Sequence, residues 1–197
     1  MEKKEIEDLS NLVFGLALTL GTVTLVAPAA DDVGRLLTAI VSYGLSFFII
    51  VWIWWLYNKI TKRARTETRF RFAINVLLLF LVVIEPFLLG VSNKVAGSAA
   101  YAIDIGTILL VLAVYSQLAI KESIAAGSTI ARWRTNRNTL IVCAIIFYAT
   151  IAIGLFPDIA STGIQGAIWL AVLLVAILSG LVMDVREKRR STRGMGP

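Results

Sequence analysis

The chain has 197 residues, of which 58% are hydrophobic and only 16% charged. A soluble domain of this size would leave much of that apolar material in water, so the composition points to an integral membrane protein. Histidine is absent and Cys143 is the single cysteine, which excludes histidine metal sites, histidine general bases and a disulfide within the chain.

No P-loop, GxSxG or CxxC motif is present, so neither an enzyme nor a cofactor-dependent protein is expected. The opening "MEKKEIEDLSN" is too acidic and polar for a secretory signal, and no small-residue cleavage site follows it. Six apolar stretches then follow, each able to cover about 30 Å of hydrocarbon as a helix at about 1.5 Å per residue. They predict helices over 5–27, 33–57, 70–91, 99–120, 138–156 and 163–184. Helix is the element that satisfies its own backbone in lipid, which makes the expected fold all-α with six transmembrane helices. Residues 1–185 form one channel-sized membrane domain in this reading, and 186–197 form a basic, disordered cytoplasmic tail.

The first predicted helix carries a polar seam. Leu16, Thr19, Leu20 and Val23 fall at i, i+3, i+4 and i+7 and so share one face. Small residues and threonines let membrane helices pack closely. The same face can also line a pore, with hydroxyls replacing part of an ion's hydration shell and leucine rings closing the path by dewetting. Periodicity alone leaves both readings open. In the second helix Asp31 or Asp32 supplies the cap, and Trp52, Trp54 and Trp55 cluster near the cytoplasmic end, where an aromatic belt is expected. The third helix holds Asn75 near its cytoplasmic end, placed to satisfy a neighbouring helix, and Glu85 near its outer end before Pro86. Asp104 sits about one turn into the fourth. Both acids are expected at the outer interface, solvated or bonded to a partner; a proton- or cation-binding pair is the alternative.

Lysine and arginine set the orientation. With the N-terminus in the cytoplasm, the far side keeps only Arg35 and Lys94 of the chain's 19 basic residues, so both termini are expected inside. The segments "KITKRARTETRFR" and "REKRRSTR" are then topology signals and contacts for anionic lipid, and no nucleic-acid partner is needed to explain the net charge of +6.

Three stretches in order resemble the transmembrane protein 175 family of lysosomal and prokaryotic potassium channels. That family opens its first helix with Arg-x-x-x-Phe-Ser-Asp and a run like "VFAIAITLLV"; here "EIEDLSNLVFGLALTLGTV" aligns without a gap, with Leu9, Ser10 and Asn11 in place of Phe, Ser and Asp. Its second helix has Ser-Phe, then Trp, then a His pair; "YGLSFFIIVWIWWLYNK" supplies Ser46, Phe47 and Trp55, with Asn58 and Lys59 in place of the histidines. Its third reads "LWLNLLLLLFVALLPF", against "RFAINVLLLFLVVIEPF" with Asn75, Leu77 to Phe80 and Pro86. The likeness spans residues 5 to about 92.

The resemblance implies a homotetramer in a prokaryotic cell membrane, with a pore lined by the first helix of each subunit and passing potassium or another monovalent cation. It implies a hydrophobic gate at Leu16, a polar selectivity ring at Thr19, and further apolar layers at Val23 and Leu20. It also implies a network between the first two helices near the cytoplasm; with Glu5 in place of the family's arginine, a neutral version built from Ser10, Asn11, Trp55 and Asn58 is expected. Two rivals stand beside the channel. One is an ion- or proton-coupled transporter using Glu85 and Asp104, although no inverted repeat or broken helix supports it. The other is a non-conducting relative that keeps the fold.

Overall fold

The computed structural model describes residues 3–23, 33–61, 68–91, 95–125, 131–154 and 167–178, all helical apart from Thr68. The helices are α1 (Lys3–Val23), α2 (Val33–Thr61), α3 (Arg69–Val91), α4 (Val95–Ala125), α5 (Ala131–Gly154) and the shorter α6 (Ala167–Leu178). Four are long and apolar enough to cross a bilayer, through Tyr43–Thr61, Arg69–Leu89, Ala96–Glu122 and Arg134–Ala152. Of the six spans expected, four are found among the described residues. Glu5, Glu7 and Asp8 occupy the early turns of α1 and dilute its hydropathy, and the described part of α6 is too short. Residues 24–27, 155–166, 179–184 and the 186–197 tail lie outside the described residues.

Several boundaries differ from the sequence reading, two of them by five residues or more. Helix α5 begins at Ala131 rather than 138, and α4 runs on to Ala125 rather than 120. Hydropathy detects only the part of a helix that suits lipid. "ARWRTNR" and "KESIA" are polar, yet neither contains proline or glycine, so the helices continue into them. Helix α3 also continues through Pro86. That residue has no N–H to give the Val82 carbonyl, a loss membrane helices tolerate where neighbours pack closely.

Helix α4 is the hub. It packs most extensively on α5, then on α3, and also touches α2; α1 lies on α2 and α3. The core runs along α4 through Tyr101, Ile105, Ile108, Leu109 and Leu112, all under 2% exposed. Tyr101 tilts against Trp169 of α6 at 4.8 Å between ring centroids, and Phe147 of α5 stacks on the other side of that indole at 6.0 Å and 12°. The indole N–H of Trp169 donates to Thr150 Oγ1 at 2.8 Å, which ties α6 to α5. Gly106 permits the α4–α5 approach: a Cβ there would lie 3.0 Å from the Tyr148 ring, whose hydroxyl bonds Thr107 at 2.9 Å. An ion pair joins Arg71 Nη2 at the start of α3 to Glu122 Oε1 near the end of α4 at 2.6 Å, and the Tyr115 hydroxyl donates to the Arg71 carbonyl at 3.0 Å.

Candidate functional site

Helix α1 has two unlike faces. Ile6, Ser10, Phe14, Ala17 and Gly21 are buried against α2 and α3. Their spacing of three and four residues keeps them on one stripe. The opposite stripe has no cover within the chain: Leu12 is 71% exposed, Leu16 52% and Leu20 39%, and Thr19 lies between the last two, also exposed. The Val23 side chain lies outside the described set.

The hydroxyls on this open face have their protons committed inward. Thr19 Oγ1 donates to the Leu16 carbonyl at 2.8 Å, and Thr22 Oγ1 donates to the Thr19 carbonyl at 2.6 Å. A hydroxyl that donates to its own helix keeps lone pairs for an outside acceptor role. Thr22 joins Thr19 in this respect, although it falls outside the four-residue pattern read from the sequence.

The buried face is fixed by a polar knot. Ser10 is fully buried and donates its single proton to the Ile6 carbonyl at 2.7 Å. The Tyr57 hydroxyl on α2, 2.9 Å away, therefore donates to Ser10, and so does Asn75 Nδ2 of α3 at 3.0 Å. One serine oxygen thus joins three helices. Phe14 packs on the Tyr57 ring at 5.7 Å, and Tyr115 of α4 meets that ring edge-on at 6.0 Å. A second link lies outside the first: Trp54 Nε1 donates to Asn11 Oδ1 at 2.9 Å.

The expected partners on α2 were Trp55 and Asn58; the residues that bond to α1 are Trp54 and Tyr57. Helical geometry gives the reason. Trp54 and Tyr57 are three apart and share the face toward α1, whereas Trp55 is turned about 100° away. Trp55 lines a shallow cleft between α2, α5 and α6 with Trp52, Lys59 and Asn136, and its ring carries the Lys59 ammonium 4.4 Å from the centroid. Asn58 contributes its carbonyl to Thr61 Oγ1 at 3.5 Å. The trio of Ser10, Tyr57 and Asn75 was half visible in advance, since Ser10 and Asn75 are polar residues in apolar runs. Tyr57, beside the tryptophans of α2, gave no comparable contrast.

At the far end of α2, α3 and α4 the two intramembrane acids are inside the protein rather than at a wet interface. Glu85 is 0% exposed and Asp104 3%. Ser46 Oγ donates to Glu85 Oε2 at 2.6 Å, and the Tyr101 hydroxyl reaches Oε1 at 3.5 Å. The expectation of interfacial solvation therefore fails for both, because α2 and α4 close over them. A hydrogen-bonded partner is found for Glu85 alone.

With this arrangement established, comparison with known proteins is informative. Residues 5–86 match the family model of the endosomal/lysosomal potassium channel TMEM175. That match takes in about two fifths of the chain and makes its first three helices similar to those of the TMEM175 family. The matched stretch covers α1, α2 and most of α3, which contain the open face and the whole Ser10 knot. Two solved TMEM175 structures extend the likeness of fold over the remaining helices. One is a lysosomal potassium-selective channel TMEM175 homolog from Chamaesiphon minutus, at 18% identity and a TM-score of 0.61, covering 89% of this chain and 98% of that one. The other is a threonine-to-alanine variant of the potassium channel MtTMEM175 bound to a nanobody–MBP fusion, at 15% identity and a TM-score of 0.63, covering 91% of this chain and 92% of that one. No curated protein matches the chain. TMEM175 is a family of ion channels, not of enzymes.

Proposed function

We propose that this protein is a member of the TMEM175 family and a passive cation channel, selective for potassium, in which four subunits bring their α1 helices to a common axis. The observation that carries the reading is the open stripe of α1, where Leu12, Leu16 and Leu20 stay exposed while the opposite stripe is locked onto α2 and α3. Lipid covers exposed apolar side chains on the other helices, but this open side of α1 interleaves leucines with the hydroxyls of Thr19 and Thr22. That mixture suits packing against copies of itself around an axis.

In this reading Leu16 forms the constriction and closes it by excluding water. Thr19 forms the polar ring one turn on, its oxygen lone pairs turned to the ion. Leu20 and Val23 add the next apolar layer. Glu5, Glu7 and Asp8, repeated around the axis, concentrate cations at the mouth. In this reading both termini face the cytoplasm of a prokaryotic cell; the bias of lysine and arginine supports that orientation. Surrounding lipid is the remaining partner.

Efflux from potassium-loaded vesicles carrying the purified protein tests the proposal. Leu16→Ala widens and wets the constriction and speeds efflux; Thr19→Val lowers the potassium-to-sodium ratio without abolishing flux. A folded oligomer with no efflux from either wild type or Leu16→Ala identifies a non-conducting relative instead. A coupled transporter shows itself differently, by losing flux in Glu85→Gln while Leu16→Ala has no effect.

A further inference from the structure

Glu85 and Asp104 are the two buried acids among the described residues. In the Ser10 knot one neutral acceptor, Asn75 Oδ1, lacks a partner; at the acid pair the orphaned atoms belong to a carboxyl group. Glu85 accepts from Ser46 and, at a longer distance, from Tyr101. Asp104 follows Tyr101 by three residues and so shares its face of α4. Both oxygens of Asp104 are buried without a hydrogen-bond partner. Among the described residues neither acid is paired with a lysine or arginine. An uncompensated buried carboxylate costs several kcal/mol, so each acid either holds its own proton or meets a cation.

A proton and a metal cation are the two simplest charges. A proton shared by two carboxyl groups needs their oxygens at about 2.5–3.0 Å, and Asp104 has no oxygen partner that near. A bridging metal ion holds each oxygen at about 2.3–2.6 Å and needs no hydrogen bond between the acids. The available donors are two carboxylates and two hydroxyls, all oxygen, which suits a hard ion and not a soft transition metal. We propose that Glu85 and Asp104, with the hydroxyls of Ser46 and Tyr101, bind a hard metal cation of the alkali or alkaline-earth class within each subunit, away from α1. The ion ties α2, α3 and α4 together at the end opposite the Ser10 knot. The proposal stands independently of conduction.

The test is thermal unfolding of the purified, chelator-treated protein in detergent, followed by intrinsic tryptophan fluorescence. Trp169 reports locally, since its ring touches that of Tyr101. Sodium, potassium, calcium and magnesium chlorides are each titrated against choline chloride at constant ionic strength. At least one of them raises Tm saturably, by about 5–10 °C at a hundredfold excess over Kd. Asp104→Asn and Glu85→Gln lose that rise, and Ser10→Ala retains it. If Glu85→Gln fails to fold, Asp104→Asn and Ser46→Ala, which weakens the response, carry the comparison. Equal Tm in all salts overturns the proposal, as does an undiminished rise in Asp104→Asn, or a Tm that follows pH and ignores the cation. Vesicle efflux that persists in Asp104→Asn separates this outcome from any failure of the channel reading.

Discussion

Removing one oxygen should loosen three helices at once. In Ser10→Ala the Tyr57 hydroxyl and the Asn75 amide both lose their acceptor, at 2.9 and 3.0 Å in the native protein. The Ile6 carbonyl loses only an extra donor, since its helical partner remains. No water reaches the site to compensate, because Ser10 is 0% exposed and Asn75 2%. Hydrogen bonds between membrane helices are worth about 0.6 kcal/mol each on average and up to about 1.7. Two of them give an expected loss of about 1–3 kcal/mol. Tyr57 has further interactions, which places the expectation in the lower half of that range. The assay is reversible unfolding in mixed micelles with added SDS, run as a double-mutant cycle of Ser10→Ala against Tyr57→Phe. Phenylalanine removes the orphaned hydroxyl, so Tyr57→Phe costs less in the Ser10→Ala background than in wild type, with a coupling of at least about 0.6 kcal/mol. An additive cycle, or a Ser10→Ala protein within about 0.5 kcal/mol of wild type, would refute the argument that this knot holds α1 in place.

Other substitutions test other contacts. Gly106→Ala puts a methyl group 3.0 Å from the Tyr148 ring and should cost about 1–3 kcal/mol as α4 and α5 are forced apart; an unchanged midpoint in the same unfolding assay contradicts the close approach. Gly15→Ala meets open space, with nothing within 4 Å of the added carbon, so stability should stay level or rise by up to about 1 kcal/mol. Efflux should nevertheless change in that variant if the face is a pore wall, and unchanged efflux counts against it. At the α3–α4 ion pair the buried member is Arg71, at 4% exposed against 26% for Glu122. Glu122→Leu should therefore destabilise more than Arg71→Met, because the carboxylate can turn to solvent and the guanidinium cannot; each should fall below the about 3–5 kcal/mol of a fully buried pair broken on one side.

Much of the architecture could be read from the chain because lipid leaves few choices. Long apolar runs must be helices, and the starts of α2 and α3 and the end of α3 fall within a residue of the positions expected from 33–57 and 70–91. The polar extensions of α4 and α5 escaped because hydropathy registers suitability for lipid and not helicity. At the site, the stripe through Leu16, Thr19 and Leu20 was evident from 3.6-residue periodicity, and it is the stripe the chain leaves open. The supports behind it were harder to see. Trp54 and Trp55 are equally aromatic on paper, and only the rotation of α2 against α1 decides which indole reaches Asn11. The burial of Glu85 was hidden for a similar reason: its position near a helix end suggested water, and the neighbouring helices that exclude water are set by tertiary packing.

Gly21 lies on the same stripe of α1 as Ser10, and a Cβ there would press on the Tyr43 ring at 3.2 Å and on Pro86 at 3.5 Å. Clamped at these two points, about 16 Å apart along its axis, α1 behaves as a strut with Leu16 near the middle of the span. A strut of this kind cannot swivel alone. If Leu16 is the constriction proposed above, any widening there comes from the first three helices leaning outward as one rigid wedge. A covalent staple between α1 and α3 should leave permeation untouched, and a staple that silences it would show that the strut bends.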